Sequence, residues 1–178
     1  RLDCFTRPRP CTSIGGGLMD ALRPLTPEDV PRMALINEQG LPGTGKVTEA
    51  EMADLLDLSE LALGYDDDNV LNGFVLCLLP KTSYGSLNYA WFNQHYDEFL
   101  YVDRIAVAEN VRSRGIGTHL YNKVIDHAQQ LGVPVTAEVS LLPPNPGSMR
   151  FHNRHGFEKV GVFEQGKKAV TMLIRRNQ

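Results

Sequence analysis

A glycine-rich loop between an apolar strand and a long helix is the feature that most constrains how this chain folds. Residues 99–107 are typical of a buried strand, and apolar side chains at helical spacing predict a helix over residues 117–131. The loop between them, residues 111–118, contains glycines that let a backbone approach a ligand closely, and unpaired amides at a helix start bind anions. Arg112 and Arg114 add positive charge. The pattern predicts an α/β domain with an anion site at this loop.

The remainder of the chain alternates between predicted strands and helices, without an internal repeat or a linker. The predicted strands are residues 21–24, 61–65, 70–79, 99–107, 133–139, 160–164 and 170–174. The predicted helices are residues 26–38, 48–58, 117–131 and 146–155. Residues 80–97 are expected to be irregular or briefly helical. We therefore predict one domain with a mixed sheet over residues 19–178.

Residues 1–18 are predicted to lie outside this domain. They lack an initiating Met and contain consecutive glycines at positions 15–17, after which Met19 opens a conventional-looking domain. We expect a disordered tail, or residues left from expression or assigned in error upstream of the native start. A basic targeting segment containing Ser and Thr is the alternative that the composition leaves open.

Charge, hydropathy and cysteine content argue against several classes of function. The 178 residues carry a formal net charge of −3, which provides no bulk attraction to nucleic acid. No apolar run approaches the ~20 residues of a membrane helix. Two of the three cysteines lie in the tail, so we expect neither a disulfide framework nor a metal site in the domain. Cys77 is expected to be a small buried hydrophobe, with a catalytic thiol as the alternative. Sparse thiols favour a reducing compartment, and we predict a cytoplasmic protein without nucleic-acid or membrane partners.

A second glycine-rich segment, residues 40–47, imitates a phosphate-binding P-loop. It matches G-x-x-x-x-G-K but ends in Val47, where Ser or Thr should supply a hydroxyl to magnesium. It also follows a predicted helix, whereas a P-loop follows a buried strand. We interpret it as a helix-to-helix turn, and a P-loop nucleotide-binding protein stays a remote alternative.

With these motifs in place, the sequence resembles the GNAT superfamily of acetyl-CoA-dependent N-acetyltransferases. Residues 112–117 read R-x-x-G-x-G after an apolar strand, which is the family signature. Asn145 lies eleven residues before Gly156 and Phe157, which matches a second family block. The likeness covers about residues 20–175. It implies an α/β fold with a mixed, mostly antiparallel central sheet that is flanked by helices and splayed at its two central strands.

The resemblance also implies acetyl-CoA as the cosubstrate, held by the strand–loop–helix unit. Its pyrophosphate would lie on the backbone amides of Arg112, Ser113, Arg114, Gly115, Ile116, Gly117 and Thr118. Its pantetheine arm would pair like an additional strand with Ile105, Ala106 and Val107, and Asn145 would flank the arm from the other side. The implied reaction is direct acetyl transfer to a primary amine of a small molecule, an amino acid or a drug-like amine. A non-catalytic acyl-CoA-binding module is the alternative, and a homodimer is left open.

The sequence departs from the common family pattern at His152. Many members carry Tyr seven residues after the Asn, where its hydroxyl can protonate the departing CoA thiolate. This chain has His152 there, as does the branch with phosphinothricin-type and amino-acid-directed acetyltransferases. Histidine can donate or relay a proton, because its unperturbed pKa is near 6.5. The alternative is that His152 packs or hydrogen-bonds at the helix–strand junction.

Two carboxylates in the central strands are candidate catalytic bases for deprotonating the acceptor amine. Alternation in residues 135–139 places Glu138 opposite the apolar side chains, which is unfavourable unless that face meets water, a partner or a substrate. Asp103 is placed similarly beside Arg104. A salt bridge within the sheet is the alternative for both, and deprotonation through water would need neither. Polarisation of the thioester carbonyl requires only a backbone amide near Val107.

Aromatic residues before the central strand suggest a pocket for the acceptor. Residues 84–99 hold six of the fourteen aromatic side chains, including the single Trp. Aromatic side chains form apolar walls with polar tips. We name Tyr89 and Trp91 as pocket residues, together with Tyr101, which could face the reaction centre from its strand. Local packing of an irregular segment is the alternative.

Overall fold

Seven strands form one mixed sheet in the computed structural model, which describes residues 21–178. The strands are β1 (Leu22–Pro24), β2 (Leu61–Asp67), β3 (Val70–Leu78), β4 (Leu100–Val107), β5 (Val135–Leu142), β6 (Glu158–Gln165) and β7 (Lys168–Arg175). The helices are α1 (Val30–Gln39), α2 (Glu49–Leu58), α3 (Leu87–His95), α4 (Ile116–Leu131) and α5 (Pro146–Arg154). The strand order is β1-β2-β3-β4-β5-β7-β6. The predicted tail, residues 1–18, lies outside the described residues.

An opening between the two central strands is the main irregularity of the sheet. Strands β4 and β5 run parallel and pair only at Leu100 with Val135 and at Tyr101 with Thr136, while the other neighbouring strands are antiparallel. After Tyr101 the two strands diverge, so the edge of β4 that faces β5 has backbone groups without a strand partner among the described residues. The predicted mixed, mostly antiparallel sheet with a central splay is therefore confirmed.

The core lies on both sides of β3. All five residues from Phe74 to Leu78 are fully buried, which requires cover on both faces of the strand, and α1 and α4 both contact it. Cys77 belongs to this run, and burial raises the pKa of its thiol well above the ordinary value. The thiol is buried as expected for a small hydrophobe rather than exposed for chemistry.

The helix ends follow local sequence signals. Thr48 caps α2 through a capping box, in which its hydroxyl accepts from the Glu51 amide at 3.1 Å and its own amide donates to the Glu51 carboxylate at 2.7 Å. Gly132 ends α4 with a φ of +73°, a left-handed conformation that favours glycine. These local signals explain why the predicted helices agree with the structure to within a few residues.

Two elements differ from the sequence-based expectation in extent. Strand β5 continues to Leu142, three residues beyond the predicted end, because β7 pairs with it along that length. The stretch expected to be irregular or briefly helical contains α3, whose start is capped by the Ser86 hydroxyl accepting from the Tyr89 amide. No helix within residues 21–178 is long and apolar enough to span a bilayer.

Candidate active site

The β4–α4 loop has the backbone conformation that its glycine motif predicts. Gly115, immediately before α4, has a φ of +81°, and Ser113 has a φ of +65°, so two residues of the loop are left-handed. The first amides of α4 have no acceptor within the helix, because α-helical hydrogen bonds run from residue i to residue i−4. These amides and the positive end of the helix dipole form a site suited to an anion.

Gly117 allows α4 and α5 to approach each other beside this loop. A Cβ atom at Gly117 would lie 3.2 Å from Cζ of Phe151, which is closer than side chains normally pack. The Phe151 ring in turn stacks on Tyr121 of α4, with ring centroids 5.1 Å apart. The second glycine of the motif therefore serves contact between two helices.

The two arginines of the loop make different contacts. Arg112 donates to the carbonyl of Val107 at 3.2 Å and to the carbonyl of Gln39 at 2.7 Å, so its guanidinium joins the loop to the end of α1. Arg114 is largely exposed, with a nitrogen 3.9 Å from a carboxylate oxygen of Asp67. The predicted positive charge is present, and Arg112 also holds α1 in place.

A cavity of about 480 Å³, here called the loop cavity, lies between the β4–α4 loop and α5. The predicted cosubstrate residues that line it are Ile105, Val107, Arg112, Ser113, Gly115, Ile116, Gly117 and Thr118. Arg154 of α5 lines it as well and adds a second guanidinium to its wall. Arg154 was not predicted from the sequence, although it lies two residues after His152 within the matched family block.

A second cavity of about 480 Å³, here called the opening cavity, lies where β4 and β5 diverge. Ala106 and Asn145, both predicted to contact the cosubstrate, line it. The side-chain carbonyl of Asn145 accepts from the Ser148 amide at 3.1 Å and so caps α5. Ile105 and Val107 line it as well, so all four residues predicted to contact the pantetheine arm are brought to one cavity.

The α1–α2 loop forms another wall of the opening cavity through residues 39–44. A Cβ atom at Gly43 would lie 2.9 Å from Nδ2 of Asn145, so glycine permits this close approach. Residues 40–47 join α1 to α2, which confirms the interpretation of this segment as a helix-to-helix turn. The same turn also borders the opening between the central strands, a position that no sequence pattern predicted.

A third cavity, of about 270 Å³ and here called the carboxylate cavity, adjoins the other two at Ile105 and Ser148. Its ionisable wall residues are Asp103, Glu138, His152, Lys168 and Arg104. All three predicted catalytic residues, His152, Glu138 and Asp103, are therefore brought together. Asn88 and Lys168 also line this cavity, and neither was predicted from the sequence.

Glu138 has one hydrogen-bonded and one unpaired carboxylate oxygen. Oε1 accepts from the Tyr101 hydroxyl at 2.9 Å and from Nδ2 of Asn88 at 3.1 Å. Oε2 is buried and has no hydrogen-bond partner among the described residues. Burial, and secondarily the charge of Asp103, raise the pKa of Glu138 to about 8. With this pKa the carboxyl is mostly protonated at pH 7, and it can act as a general base in its ionised fraction, which increases as the pH approaches and exceeds 8.

Asp103 forms an ion pair with its neighbour Arg104. Nε of Arg104 donates to the Asp103 carboxylate at 2.6 Å, and both side chains are almost fully buried. Arg104 also donates to Oδ1 of Asn37 at 3.1 Å, and Nδ2 of Asn37 donates to the carbonyl of Gly45 at 2.9 Å. The salt bridge that the sequence left open for Asp103 is present, and the hydrogen bonds through Asn37 tie β4 to the α1–α2 loop.

His152 is buried, with hydrogen bonds at both ring nitrogens. Nδ1 lies 2.8 Å from the carbonyl oxygen of Ser148, and Nε2 lies 2.6 Å from the Tyr121 hydroxyl. Because a carbonyl only accepts, Nδ1 must carry the proton, and Nε2 accepts from Tyr121. Burial lowers the pKa of His152 to about 4, so the ring is neutral at physiological pH.

Of the predicted aromatic pocket residues, Tyr89 and Tyr101 pack against each other, with ring centroids 5.2 Å apart. Tyr101 is fully buried and reaches Glu138 from the side of β4. Tyr89 packs in the core and donates to the Leu79 carbonyl at 2.5 Å. Trp91 stacks on His95 and lies against Gly161 of β6. Neither Tyr89 nor Trp91 lines the three cavities, and their contacts are those of local packing.

Solved structures share this fold at low sequence identity, whereas no curated protein matches the chain. Arabidopsis thaliana NAA60 in complex with acetyl-CoA is similar with a TM-score of 0.68 and 20% identity, over 88% of this chain and 98% of that chain. The ribosomal-protein-alanine N-acetyltransferase from Brucella melitensis has a TM-score of 0.67 and 17% identity, over 88% and 99%. Ard1 from Thermoplasma volcanium has a TM-score of 0.69 and 18% identity, over 86% and 95%.

A family model extends this likeness to the sequence itself. The model described as the acetyltransferase (GNAT) family matches residues 34–157, which include the β4–α4 loop, Glu138 and Asn145. The match spans more than half of the chain. It includes the β4–α4 loop, which lies between a strand and a helix and contains the left-handed Gly115. The chain therefore belongs to the acetyltransferase (GNAT) family, which confirms the prediction of an acetyl-CoA-dependent N-acetyltransferase.

Proposed function

We propose that this protein transfers the acetyl group of acetyl-CoA directly to the primary amine of a small molecule, with Glu138 as the base. One observation carries the proposal. The Glu138 carboxylate lines a small cavity beside the opening between β4 and β5, with Oε1 hydrogen-bonded and Oε2 unpaired among residues 21–178. A buried carboxylate oxygen without a partner is costly, and an ammonium group would supply the missing donor.

The donor set of the loop cavity supports the proposed position of the cosubstrate. The amides at the start of α4, with Arg112 and Arg154, offer hydrogen bonds and positive charge to a pyrophosphate. The unpaired edge of β4 offers backbone groups to the amides of a pantetheine arm. These residues fit acetyl-CoA, whose thioester would then lie between the loop cavity and the carboxylate cavity.

The proposed reaction begins with loss of a proton from the acceptor. An ammonium ion has no lone pair, so it first passes a proton to Oε2 of Glu138, whose pKa of about 8 lies near that of an α-amino group. The amine nitrogen then attacks the thioester carbonyl carbon, and a backbone amide near Val107 stabilises the oxyanion. As the intermediate collapses, the nitrogen loses its second proton to solvent, the carbon–nitrogen bond is retained, the carbon–sulfur bond breaks and the electron pair leaves on sulfur.

Protonation of the CoA thiolate is assigned to solvent rather than to His152. The neutral ring offers no acidic proton at Nε2, which accepts from Tyr121, and its Nδ1 proton is held by the Ser148 carbonyl. A thiolate is also a fairly good leaving group, so its departure needs little acid assistance. For His152 we therefore favour the hydrogen-bonding role that the sequence left open.

The size of the carboxylate cavity supports a small acceptor. Its volume of about 270 Å³ lies at the lower end of the range for ligand cavities. A protein N-terminus is the second candidate, because the chain is similar in fold to a ribosomal-protein-alanine N-acetyltransferase. A non-catalytic acyl-CoA-binding module is the third, and it would bind acetyl-CoA without turnover.

An acceptor screen separates these candidates. Free CoA thiol is measured after mixing the protein with acetyl-CoA and either single amino acids and small amines or short peptides with free N-termini. We expect amine-dependent thiol release with at least one small amine, and its loss in Glu138→Gln. Release with peptides alone would identify a protein N-terminus as the acceptor. Acetyl-CoA binding without release by any acceptor would favour the non-catalytic module.

A further inference from the structure

A chain of two side-chain amides approaches Glu138 from outside the central strands. Nε2 of Gln165, at the end of β6, donates to Oδ1 of Asn88 at 2.7 Å. Nδ2 of Asn88, in the first turn of α3, donates to Oε1 of Glu138 at 3.1 Å. The three residues lie on three different elements, and 77 positions separate Asn88 from Gln165.

The directions of these hydrogen bonds determine that the side-chain nitrogen of Asn88, rather than its oxygen, faces the Glu138 carboxylate. A side-chain amide has a donor end and an acceptor end, whereas an ionised carboxylate only accepts. Since Gln165 donates to the oxygen of Asn88, the nitrogen of Asn88 points to Glu138. The Tyr101 hydroxyl donates to the same Oε1 atom, so two donors hold this oxygen and Oε2 is left over.

We infer that Asn88 and Gln165 are positioning residues that hold the Glu138 carboxylate with Oε2 available to the acceptor amine. The inference rests on the proposed role of Glu138 as the base. Asn88 acts on Glu138 directly, and Gln165 acts only through the orientation of Asn88. Neither residue belongs to the loop motif or to the Asn145 block, because Asn88 lies in α3 and Gln165 at the end of β6.

Other charged and titratable groups act on Glu138 or share its cavity, and they must stay unchanged in a test. Strand β4 contributes Tyr101, Asp103 and Arg104 to these groups. Helix α5 contributes His152, and strand β7 contributes Lys168. Substitutions at Asn88 and Gln165 should therefore be neutral in charge. Asn88→Leu and Gln165→Met remove the hydrogen bonds and approximately conserve side-chain volume.

The experiment is a double-mutant cycle at Asn88 and Gln165, in which the measured quantity is the pH midpoint at which Glu138 titrates. The ¹³C signal of the Glu138 carboxyl, assigned by its loss in Glu138→Gln, is followed against pH in Asn88→Leu, Gln165→Met and the double variant. The pH profile of kcat/KM is measured in parallel. Asn93→Leu is the matched control, because Asn93 also lies in α3 but bonds to the Lys81 amide and the Tyr89 carbonyl.

A hydrogen-bond donor stabilises the ionised form of the Glu138 carboxyl. Removing that donor favours the protonated form, so we expect the pKa of Glu138 to rise. We expect Asn88→Leu to raise the titration midpoint of Glu138 and the acid limb of kcat/KM by about one pH unit. Gln165→Met should produce a smaller upward shift that disappears in the Asn88→Leu background, since its effect passes through Asn88. Asn93→Leu should shift neither.

Two results would overturn the inference. One is an unchanged Glu138 midpoint in Asn88→Leu. The other is an effect of Gln165→Met that persists undiminished in the double variant, because Gln165 would then act independently of Asn88. The nuclear magnetic resonance titration does not depend on turnover. If the midpoints shift as expected but the wild type transfers no acetyl group, the positioning inference holds and the proposed function fails.

Discussion

The Tyr121 hydroxyl donates a hydrogen bond to Nε2 of His152 across 2.6 Å, where both side chains are buried. The pair joins α4 to α5, and His152 lines both the loop cavity and the carboxylate cavity. It requires a neutral ring, because a protonated His152 would present a second N–H where it now accepts. Burial keeps the pKa of this ring low, and the stability of the protein therefore depends on pH.

The first prediction concerns acid stability. The pKa of His152 is about 4 in the folded protein and near 6.5 in an unfolded chain. The unfolded state therefore binds more protons between these values, so stability is complete above pH 6.5 and falls as the pH decreases towards 4. Urea unfolding at pH 7.5 and pH 5 should show that the wild type loses about 2 kcal/mol more than His152→Gln. Equal losses would contradict this role for His152.

A second prediction separates hydrogen bonding from catalysis at the same residue. If water protonates the CoA thiolate, His152→Gln should retain kcat within about tenfold and bind acetyl-CoA as the wild type does. Steady-state kinetics across pH 6–9, with an acceptor from the screen, measures this. A fall of about 10²–10⁴-fold would instead identify His152 as the proton donor or relay.

The sequence predicted the parts of the site that depend on neighbouring residues. The strand, the left-handed Gly115 and the start of α4 follow one another along the chain, so a single motif describes them. The Asp103–Arg104 ion pair also joins sequence neighbours. The central splay followed from the family resemblance, because no local pattern in β4 or β5 indicates where two strands diverge.

The rest of the site depends on tertiary contacts that no local pattern encodes. The Gln165–Asn88–Glu138 chain joins three elements distant in sequence, and the α1–α2 loop reaches the opening because Arg104 and Asn37 fix it there. Aromatic composition could not distinguish a pocket from a core, because Tyr89 and Trp91 pack equally well in either.

A third prediction tests the β4–α4 loop as the phosphate site. A side chain at Gly115 meets no atom within 4 Å, so Gly115→Asp adds a negative charge and left-handed strain without a clash. Acetyl-CoA affinity, measured by calorimetry, should fall at least tenfold. Gly132→Asp is the matched control, because Gly132 has a φ of +73° and equally open space at the opposite end of α4. Equal affinities in the two variants would remove this loop as the phosphate site.

A fourth prediction concerns the segment that imitates a P-loop. Since residues 40–47 are a helix-to-helix turn, Lys46→Ala should leave acetyl-CoA affinity unchanged. In thermal unfolding, millimolar acetyl-CoA should stabilise both proteins by about 4 kcal/mol if its dissociation constant is micromolar. ATP with magnesium should stabilise neither, and stabilisation by ATP that is lost in Lys46→Ala would restore the nucleotide-binding alternative.

The last prediction links activity to stability at Glu138. Glu138→Gln keeps the shape of the side chain but cannot accept the amine proton, so acetyl transfer should fall by about 10²-fold or more while acetyl-CoA affinity is retained.

The same change should stabilise the protein at alkaline pH. The pKa of Glu138 is about 8 when folded and about 4.5 at its ordinary value, so the folded state binds more protons between these values. Stability from this group therefore falls as the pH rises through that range, by on the order of 2–3 kcal/mol between pH 6 and pH 9. Glu138→Gln removes this pH-dependent decrease in stability. The difference in free energy of unfolding between the variant and the wild type should therefore grow, in favour of the variant, from pH 6 to pH 9. A variant that loses activity but follows the wild-type stability profile would show that Glu138 is not held as a buried base.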